Sequence, residues 1–404
     1  MERDIIDIIL KYEVKGSKYG PERTRALLDA CGSPDKKLKI VHIAGSNGKG
    51  STAAYITNIL LAAGRRVGTF TSPAVFDYAE KFLLDGKLPE DAALRRCLGE
   101  VYDISLTFED RPTAFEIETV AALRLLADSG VEYAVVECGL GGLEDATNAI
   151  SHKEVAVITS VSLEHTAILG NRIEDICRHK AGIIRDCPSV VSALQSKEGR
   201  AYFSALGVKF AGDDISDIRS ADGGQTFTCG GRKYFISMLG RAQCYNAATA
   251  AEACRMLGLD EEAIAEGLAR TRLDGRVQII KKRGTTYILD GSHNPDSFGP
   301  LTDVLRGTEG AKTLVFSCLS DKDVNAAADI LSPYFERVVL FTSPSYRKMA
   351  LDGIYAAFSR KTDNIICAED TASALEAAQG DKVVVLCGSF TVLKEGKQWI
   401  EKEQ

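Results

Sequence analysis

Leu38-Lys39-Ile40-Val41-His42-Ile43-Ala44 runs straight into Gly45-Ser46-Asn47-Gly48-Lys49-Gly50-Ser51-Thr52. The first part is a short apolar run, closed by a Gly-rich turn, and Ser51–Ala63 then reads as a helix. Glycines in such a turn let backbone N–H groups face inward around phosphate oxygens, and the helix N-terminus adds the positive end of its dipole. Lys49 supplies a charge that can neutralise β- and γ-phosphates. The spacing departs from strict Walker A form, because Ile43 stands where the first Gly would be and Gly50 where Ser or Thr would follow Lys. The strand–loop–helix context still favours nucleotide binding over an ordinary Gly-rich turn. Gly45, Ser46, Asn47, Gly48, Lys49, Gly50 and Ser51 are therefore the candidate phosphate contacts.

Outward from this loop, strands and helices alternate. Arg66–Phe70, Tyr133–Cys138 and Val155–Ser160 read as strands, and Thr113–Ser129 has helical spacing. Alternation of this kind predicts a mainly parallel sheet with helices on both faces. Between about Ser189 and Leu239 the pattern changes, and Thr226–Cys229 and Arg232–Ser237, split by Gly230-Gly231, read as a hairpin. Gln243–Gly258 and Glu261–Ala269 return to helix. A second alternating series then runs from Gln278 to Cys387. The expected fold is α/β: a P-loop-type, mostly parallel domain over 1–274, then a smaller Rossmann-like domain over 275–404.

Composition agrees with two folded domains. The chain has 404 residues, 45% apolar and 26% charged, more than one core usually organises. A net charge of −7 without a basic run argues against nucleic acid as a partner. Eleven scattered cysteines contain no C-x-x-C pair, so neither a zinc ribbon nor a redox motif is indicated. The N-terminal stretch to Lys18 mixes charge into its apolar residues, unlike a signal peptide, and no apolar run is long enough to span a bilayer. A cytoplasmic protein with reduced thiols, and no membrane partner, is expected.

Further chemistry-bearing residues lie where strands end, which in open α/β sheets is where ligands bind. Glu137 ends one strand and is either a Mg²⁺ ligand or a solvated, ion-paired strand end. His165 is either a metal ligand or a hydrogen-bonded loop histidine. Lys180, taken alone, reads as a surface lysine on a helix. Leu289-Asp290-Gly291-Ser292-His293-Asn294-Pro295 is either a site or an Asx-turn whose polar groups serve the backbone. Arg276 either clamps a phosphate or pairs with a surface carboxylate.

Taken together, these segments resemble the folylpolyglutamate synthase/dihydrofolate synthase family of the Mur-ligase superfamily. GPERT from Gly20, HIAGSNGKGS, FTSPAVFDYAEKF, TAFEIET, VECGLGGLEDATN, ITSVSLEHTAILG, HKAGII, LGRAQCYNAATA, DGRVQ, ILDGSHNP, SCLSDKD and CGSF follow in the family's order. The resemblance implies a small-molecule ligase: ATP and Mg²⁺ as cofactors, L-glutamate joined to a folate or dihydropteroate carboxylate through an acyl phosphate, and a monomeric state. It implies Ser72, Glu137 and His165 at Mg²⁺, and Lys180 as a carbamylated lysine acting in catalysis with Lys49 and His293. Asn246, Arg276 and Asp290 would contact ATP. Thr113, Phe115, Glu116, Glu144, Asp145 and Ala146 would line the pterin site, and His293 and Ser389 would handle incoming glutamate. Departures from the family pattern cluster at the acceptor side: Ala74, Lys81 for Arg, Leu143-Glu144 for Arg-Leu, His179 for Glu, and Arg241-Ala242-Gln243. They make a Mur-type ligase for a non-folate carboxylate the nearest rival, ahead of a P-loop kinase or a non-catalytic nucleotide-binding module.

Overall fold

The computed structural model describes residues 4–12 and 20–402. Of the charged N-terminal stretch, 1–3 and 13–19 lie outside the described residues, and Ile5–Lys11 is helical. Strands β1 (Lys39–Ala44), β2 (Val67–Phe70), β3 (Phe82–Leu84), β4 (Tyr133–Glu137), β5 (Val155–Ile158), β6 (Ser189–Ser192) and β7 (Lys209–Ala211) form one sheet. Their order is β3-β2-β4-β1-β5-β6-β7. All pairings are parallel except β2 with β3. The connections reverse direction around β1, which has β4 on one side and β5 on the other. The turn after β1 therefore opens at the switch point, where open α/β sheets bind ligands.

Successive residues of β4 and β5 are all buried, so both faces of the sheet are covered. Helix α1 (Lys49–Ala62) packs on β1, β2 and β4, and helix α2 (Ala114–Asp128) packs on β2. A capping box starts α2: the Thr113 hydroxyl and the Glu116 carboxylate each accept from the other's backbone N–H. Helix α3 (Ile173–Ala181) follows β5. A separate antiparallel sheet joins β8 (Ser216–Ala221), β9 (Gly224–Cys229) and β10 (Arg232–Ile236). Its two-residue turn has φ of 60° at Gly230 and 71° at Gly231, the signature of the turn that matches strand twist. Helices α4 (Arg241–Met256) and α5 (Glu261–Arg270) follow, and α5 packs on α1.

The third sheet comprises β11 (Gln278–Lys282), β12 (Thr285–Leu289), β13 (Lys312–Phe316), β14 (Arg337–Leu340), β15 (Ile365–Cys367) and β16 (Val383–Cys387), in order β11-β12-β16-β13-β14-β15. Only β11–β12 is antiparallel. Ile288, Leu314, Phe316, Val338 and Val385 from this sheet pack with Phe298, Leu301 and Phe358 in its core.

The chain divides into two compact units, Met1–Ser237 with Cys244–Thr271 and Met238–Gln243 with Arg272–Gln404. These units differ from the expected domains, 1–274 and 275–404, at 238–243 and 272–274. The cause is local: the Arg241 N–H donates to the Asp303 carboxylate, and Gly240 lies so close to Pro300 that a Cβ would clash.

Gly267 of α5 meets the backbone of Ile59 in α1, where any Cβ would collide. Gly267→Ala should therefore lower stability by about 1–3 kcal/mol through overpacking. Gly99, on a helix with nothing near its missing Cβ, is the control: Gly99→Ala should raise stability by about 0.5–1 kcal/mol. Urea midpoints of the two variants against the parent check both signs.

Candidate active site

The loop after β1 is held by the turn after β5. The N–H groups of Ser46 and Asn47 donate to the Ser160 carbonyl at 2.8 and 3.3 Å. Ser46 Oγ donates to the Ser162 carbonyl and accepts from its N–H, and Asn47 Nδ2 donates to Ser162 Oγ. Gln195 fixes this turn in its place, accepting from the Val161 N–H and donating to the Thr159 carbonyl. Gly45 has φ 150° and Gly48 φ 88°. A Cβ at Gly45 would strike Thr159, and one at Gly48 would strike the Asn246 amide, which places Asn246 of α4 against the loop. Gly48 is the N-cap of α1 and offers no side-chain cap, so the first turn of α1 presents its amides as an anion site does. Lys49 Nζ lies over the loop, donating to the carbonyls of Gly45 and Ser46 at 3.0 and 3.2 Å.

Glu137 at the end of β4 is 5% exposed. One of its oxygens accepts from the Ser72 N–H at 3.4 Å, and the same oxygen lies 3.6 Å from where a Gly50 Cβ would stand. Gly50, Ser72 and Glu137, predicted from three separate segments, thus come together. His165 is exposed, in the left-handed region at φ 46°, and caps the short helix Thr166–Leu169. Among the described residues no three His, Cys, Asp or Glu side chains form a metal cluster.

Ser72 also lines a cavity of about 360 Å³, together with Thr113, Phe115, Glu116, Glu144, Asp145 and Ala146. Every acceptor-side residue expected from the first unit is therefore in one place. Phe115 stacks on Phe70 with centroids 5.9 Å apart and packs against Gly139, where a Cβ would clash with its ring. Glu116 is buried and committed to its surroundings: it accepts from Arg23, from Thr24 Oγ1 and from the Thr113 N–H. Asp145 is also buried, with one oxygen accepting from the Leu140 N–H and the other from the Thr147 N–H and hydroxyl. Burial raises the Asp145 pKa, against these hydrogen bonds and the charge of Lys49, which lower it. Behind Asp145, His42 Nε2 lies 2.7 Å from Thr147 Oγ1. Burial, then the charges of Lys153 and Arg185, hold His42 neutral. With the Thr147 hydroxyl donating to Asp145, the His42 Nε2–H donates to Thr147, and the chain has one direction.

The surface reading of Lys180 is wrong. Its side chain is 1% exposed on α3, and Nζ donates to Glu164 Oε1 at 2.5 Å. Burial lowers the Lys180 pKa, outweighing the pull of Glu164, and Lys49 adds to the fall. Burial would raise Glu164, but the charges of Lys180 and Lys49 and the hydrogen bond from Lys180 keep it below the usual carboxylate range. An apolar stretch would not have marked this lysine; its helix presents Ile176, Cys177 and Lys180 together to the core.

In the second unit, Asp290 is buried and caps two loops, accepting from the Val277 N–H at 2.8 Å and the Ser292 N–H at 2.9 Å. Burial raises its pKa against Ser292 and the nearby charge of Arg276. The Arg276 guanidinium lies 4.6 Å from the centre of the Phe390 ring, and His293 meets the same ring edge-on at 6.0 Å. Arg276 is thus stacked and near Asp290. His293 Nδ1 contacts the Gly291 carbonyl at 2.8 Å, and burial pushes its pKa down to about 4. Ser389 is buried beside Phe390, its hydroxyl accepting from the Thr391 N–H.

The Mur ligase middle-domain pattern matches residues 43–254, and the Mur ligase glutamate-ligase-domain pattern matches 275–390. A Bacillus subtilis dihydrofolate synthase/folylpolyglutamate synthase is 32% identical over 76% of this chain and 77% of its own length. The chain belongs to the folylpolyglutamate synthase/dihydrofolate synthase family. Within it, the structure of E. coli FolC in complex with DHPP and ADP superposes with a TM-score of 0.87 at 26% identity, covering 99% of this chain and 98% of that one. The Yersinia pestis bifunctional folylpolyglutamate synthase/dihydrofolate synthase, complexed with AMPPNP and Mn ion, gives 0.86 at 28% identity, covering 99% and 98%. As a member of this family the protein is an ATP-dependent amide ligase.

Several residues of the site were not singled out from sequence. Phe390, Arg23 and Glu164 all fall inside motifs that were legible, but each acts through a partner distant in the chain. His179, noted as a departure, lines the same cavity as Glu144. Glu164→Gln removes the carboxylate from a buried cation and should cost about 3–5 kcal/mol. Adding Lys180→Met should recover a good part of that loss, so the double variant is more stable than Glu164→Gln alone in denaturant titrations. His293 makes a separate prediction. Its pKa is lower folded than unfolded, so its contribution to stability is present above about pH 6.5 and is lost as pH falls towards about 4. Melting temperatures of His293→Gln should consequently fall less steeply between those pH values than those of the parent.

Proposed function

We propose that the protein ligates L-glutamate to the carboxylate of a folate-type acceptor, dihydropteroate or a reduced folate, forming an acyl phosphate from ATP. The observation that carries this reading is the continuity of the acceptor cavity with the phosphate loop. Ser72 lines the cavity, its N–H reaches Glu137, and Glu137 borders Gly50 at the foot of the loop. A carboxylate held in the cavity by its ring system would thereby meet the γ-phosphate. Phe115, backed by Phe70, offers the flat face that a bicyclic ring stacks on.

In the first step a carboxylate oxygen attacks the γ-phosphorus and ADP leaves. Two anions approach one another, so Lys49 over the loop offsets the repulsion. In the second step the glutamate amine attacks the acyl carbon and phosphate departs. That amine must be neutral, and a neutral His293 imidazole is suited to orient it or take its proton. Asn246, Arg276 and Asp290 are assigned to the nucleotide, and Ser389 with His293 to glutamate.

A buried carboxylate at the foot of a phosphate loop brings negative charge to negative charge, an arrangement a divalent cation reconciles. Glu137, Ser72 and His165 would hold Mg²⁺, whose bound state draws charge from the phosphate oxygens. Carbamylation of Lys180, which would proceed through its unprotonated amine, would add oxygen donors, and burial moves its pKa in that direction. Leu143 and Glu144 are exposed at the acceptor loop, and the charge they change supports a second reading, the same ligation on a non-folate carboxylate. No helix among the described residues is long and apolar enough to cross a membrane, and the scattered cysteines carry no disulfide among them. We place the protein in the cytoplasm as a monomer.

Phosphate release from Mg-ATP should require both L-glutamate and one of the two pterin acceptors, with a product heavier by one glutamyl unit. Lys49→Ala should lower kcat roughly a hundred- to a thousandfold. Phe115→Ala should raise the acceptor KM about tenfold through lost stacking and leave the ATP KM unchanged. Intact ATP binding with no turnover on either pterin would overturn the folate assignment in favour of another carboxylate.

A further inference from the structure

A second cavity, of about 390 Å³, shares no lining residue with the acceptor cavity, although the segments 20–25 and 139–153 contribute to both. Arg25, Asn148, Lys153 and Arg185 line it, with Glu22 and Asp186 exposed at its edge. Lys153 is 5% exposed. Its ammonium donates to Asn148 Oδ1 at 2.8 Å and to the Ile183 carbonyl at 3.0 Å, both neutral oxygens. An ammonium has three N–H groups, so one donor is left over. Among the described residues no carboxylate pairs with Lys153. Burial pushes its pKa down to about 8, and the nearby Arg185 adds to the fall. Arg185 is exposed and forms no ion pair among the described residues. Arg25, by contrast, is already occupied by Asp29 and Asp35.

Two neighbouring cations, neither in an ion pair among the described residues and one of them buried, are costly unless something pairs with them. The group that completes this arrangement is an anion with oxygens able to accept from both an ammonium and a guanidinium. The position also has a connection to the acceptor loop. Asn148, which takes one Lys153 donor, uses its own Nδ2 to hold the carbonyls of Leu143 and Gly182 at 2.9 and 3.2 Å. Leu143 in turn donates its N–H to the His179 carbonyl at 2.7 Å. A ligand drawing on Lys153 therefore acts on the residue that fastens the loop to the end of α3.

We propose that this cavity is a second anion site, binding a compact oxyanion, phosphate or carboxylate, between Lys153 and Arg185, and that its occupancy steadies the acceptor loop through Asn148. The binding itself does not depend on the folate reading; only the effect on the acceptor does.

Equilibrium dialysis of the full chain saturated with Mg-ADP, which engages the phosphate loop, tests it with labelled inorganic phosphate in one arm and labelled glutarate in the other. One equivalent should bind saturably in at least one arm, and the preferred arm identifies phosphate or carboxylate as the ligand. Arg185→Gln, an exposed change that should leave the melting temperature in plain buffer unaltered, should weaken that binding about tenfold. Lys153→Met should abolish it; if that variant does not fold, Arg185→Gln carries the test alone. In turnover, the same anion should lower the acceptor KM of the parent and not of Arg185→Gln. Absence of saturable binding in both arms, or binding indifferent to Arg185→Gln, would overturn the site even where ligase activity is intact. Binding without any effect on the acceptor KM would overturn the coupling through Asn148.

Discussion

Two glycines with no room for a side chain set the geometry of the larger unit. Gly45 lies against Thr159 and Gly48 against Asn246, so the phosphate loop is pressed between the turn after β5 and helix α4. That closeness lets Ser46 and Asn47 bond to Ser160 and Ser162, and it leaves α1 capped by a residue without a side chain. A single methyl at either glycine would separate the loop from these supports. The loss of strict Walker spacing matters less than this packing, because what a phosphate needs is a rigid set of inward-facing donors. Here the rigidity comes from β5 and Gln195 as much as from the loop's own residues.

Charge is then distributed around that frame in buried pairs that share Lys49. It acts on Glu164 and Lys180 on one side and on Asp145 on the other. The three groups are from different elements, so changing the charge at the loop is felt both at the α3 lysine and at the acceptor loop. Asp145 is the more constrained of them. Its oxygens are taken up by Leu140 and Thr147, and Thr147 is held by a histidine that burial keeps neutral. Such a chain fixes the carboxylate's position without using a second charge, which in a dry interior is the less expensive solution.

Much of this was legible in the sequence where local signals are strong. The β1–loop–α1 unit, β4, β5, the Gly230-Gly231 hairpin and the second alternating series all have the periodicity or turn residues their structures require. β3 and β7 were not, because strands as short as Phe82–Leu84 and Lys209–Ala211 are too brief for alternation to register. β7 is also a sheet edge, with Lys209 exposed and only Ala211 buried. Lys180 was misread on its own for a different reason. Nothing within α3 announces a buried cation, since its partner Glu164 lies in the preceding loop and the burial comes from tertiary packing. The acceptor residues were found only through the family's motif order, because Thr113, Phe115, Glu144 and Asp145 come from two segments that no periodicity joins. Phe390 escaped for the same reason: its contacts with Arg276 and His293 span most of the second unit's sequence.

The departures from the family pattern are informative once they have positions. Lys81 in place of Arg is an internal matter, since its ammonium pairs with the buried Glu118 and lies over Tyr78, and a point charge serves that pair. Leu143, Glu144 and His179 are different. Leu143 and His179 are joined through the backbone, while Glu144 and His179 both border the acceptor cavity. An arginine and a glutamate at 143 and 179 would place opposite charges across this junction. Here the junction has an apolar side chain and an imidazole, and an acid stands instead at 144, on the lining of the cavity. Arg23 and Glu116 pair on another wall of the same cavity, with their charges already matched. Glu144 is thus the acid on that wall whose charge a bound acceptor would feel most directly. On the folate reading proposed above, an acceptor with hydrogen-bond donors on that edge, as a protonated or amino-substituted ring provides, would be favoured over one presenting carbonyl oxygens there.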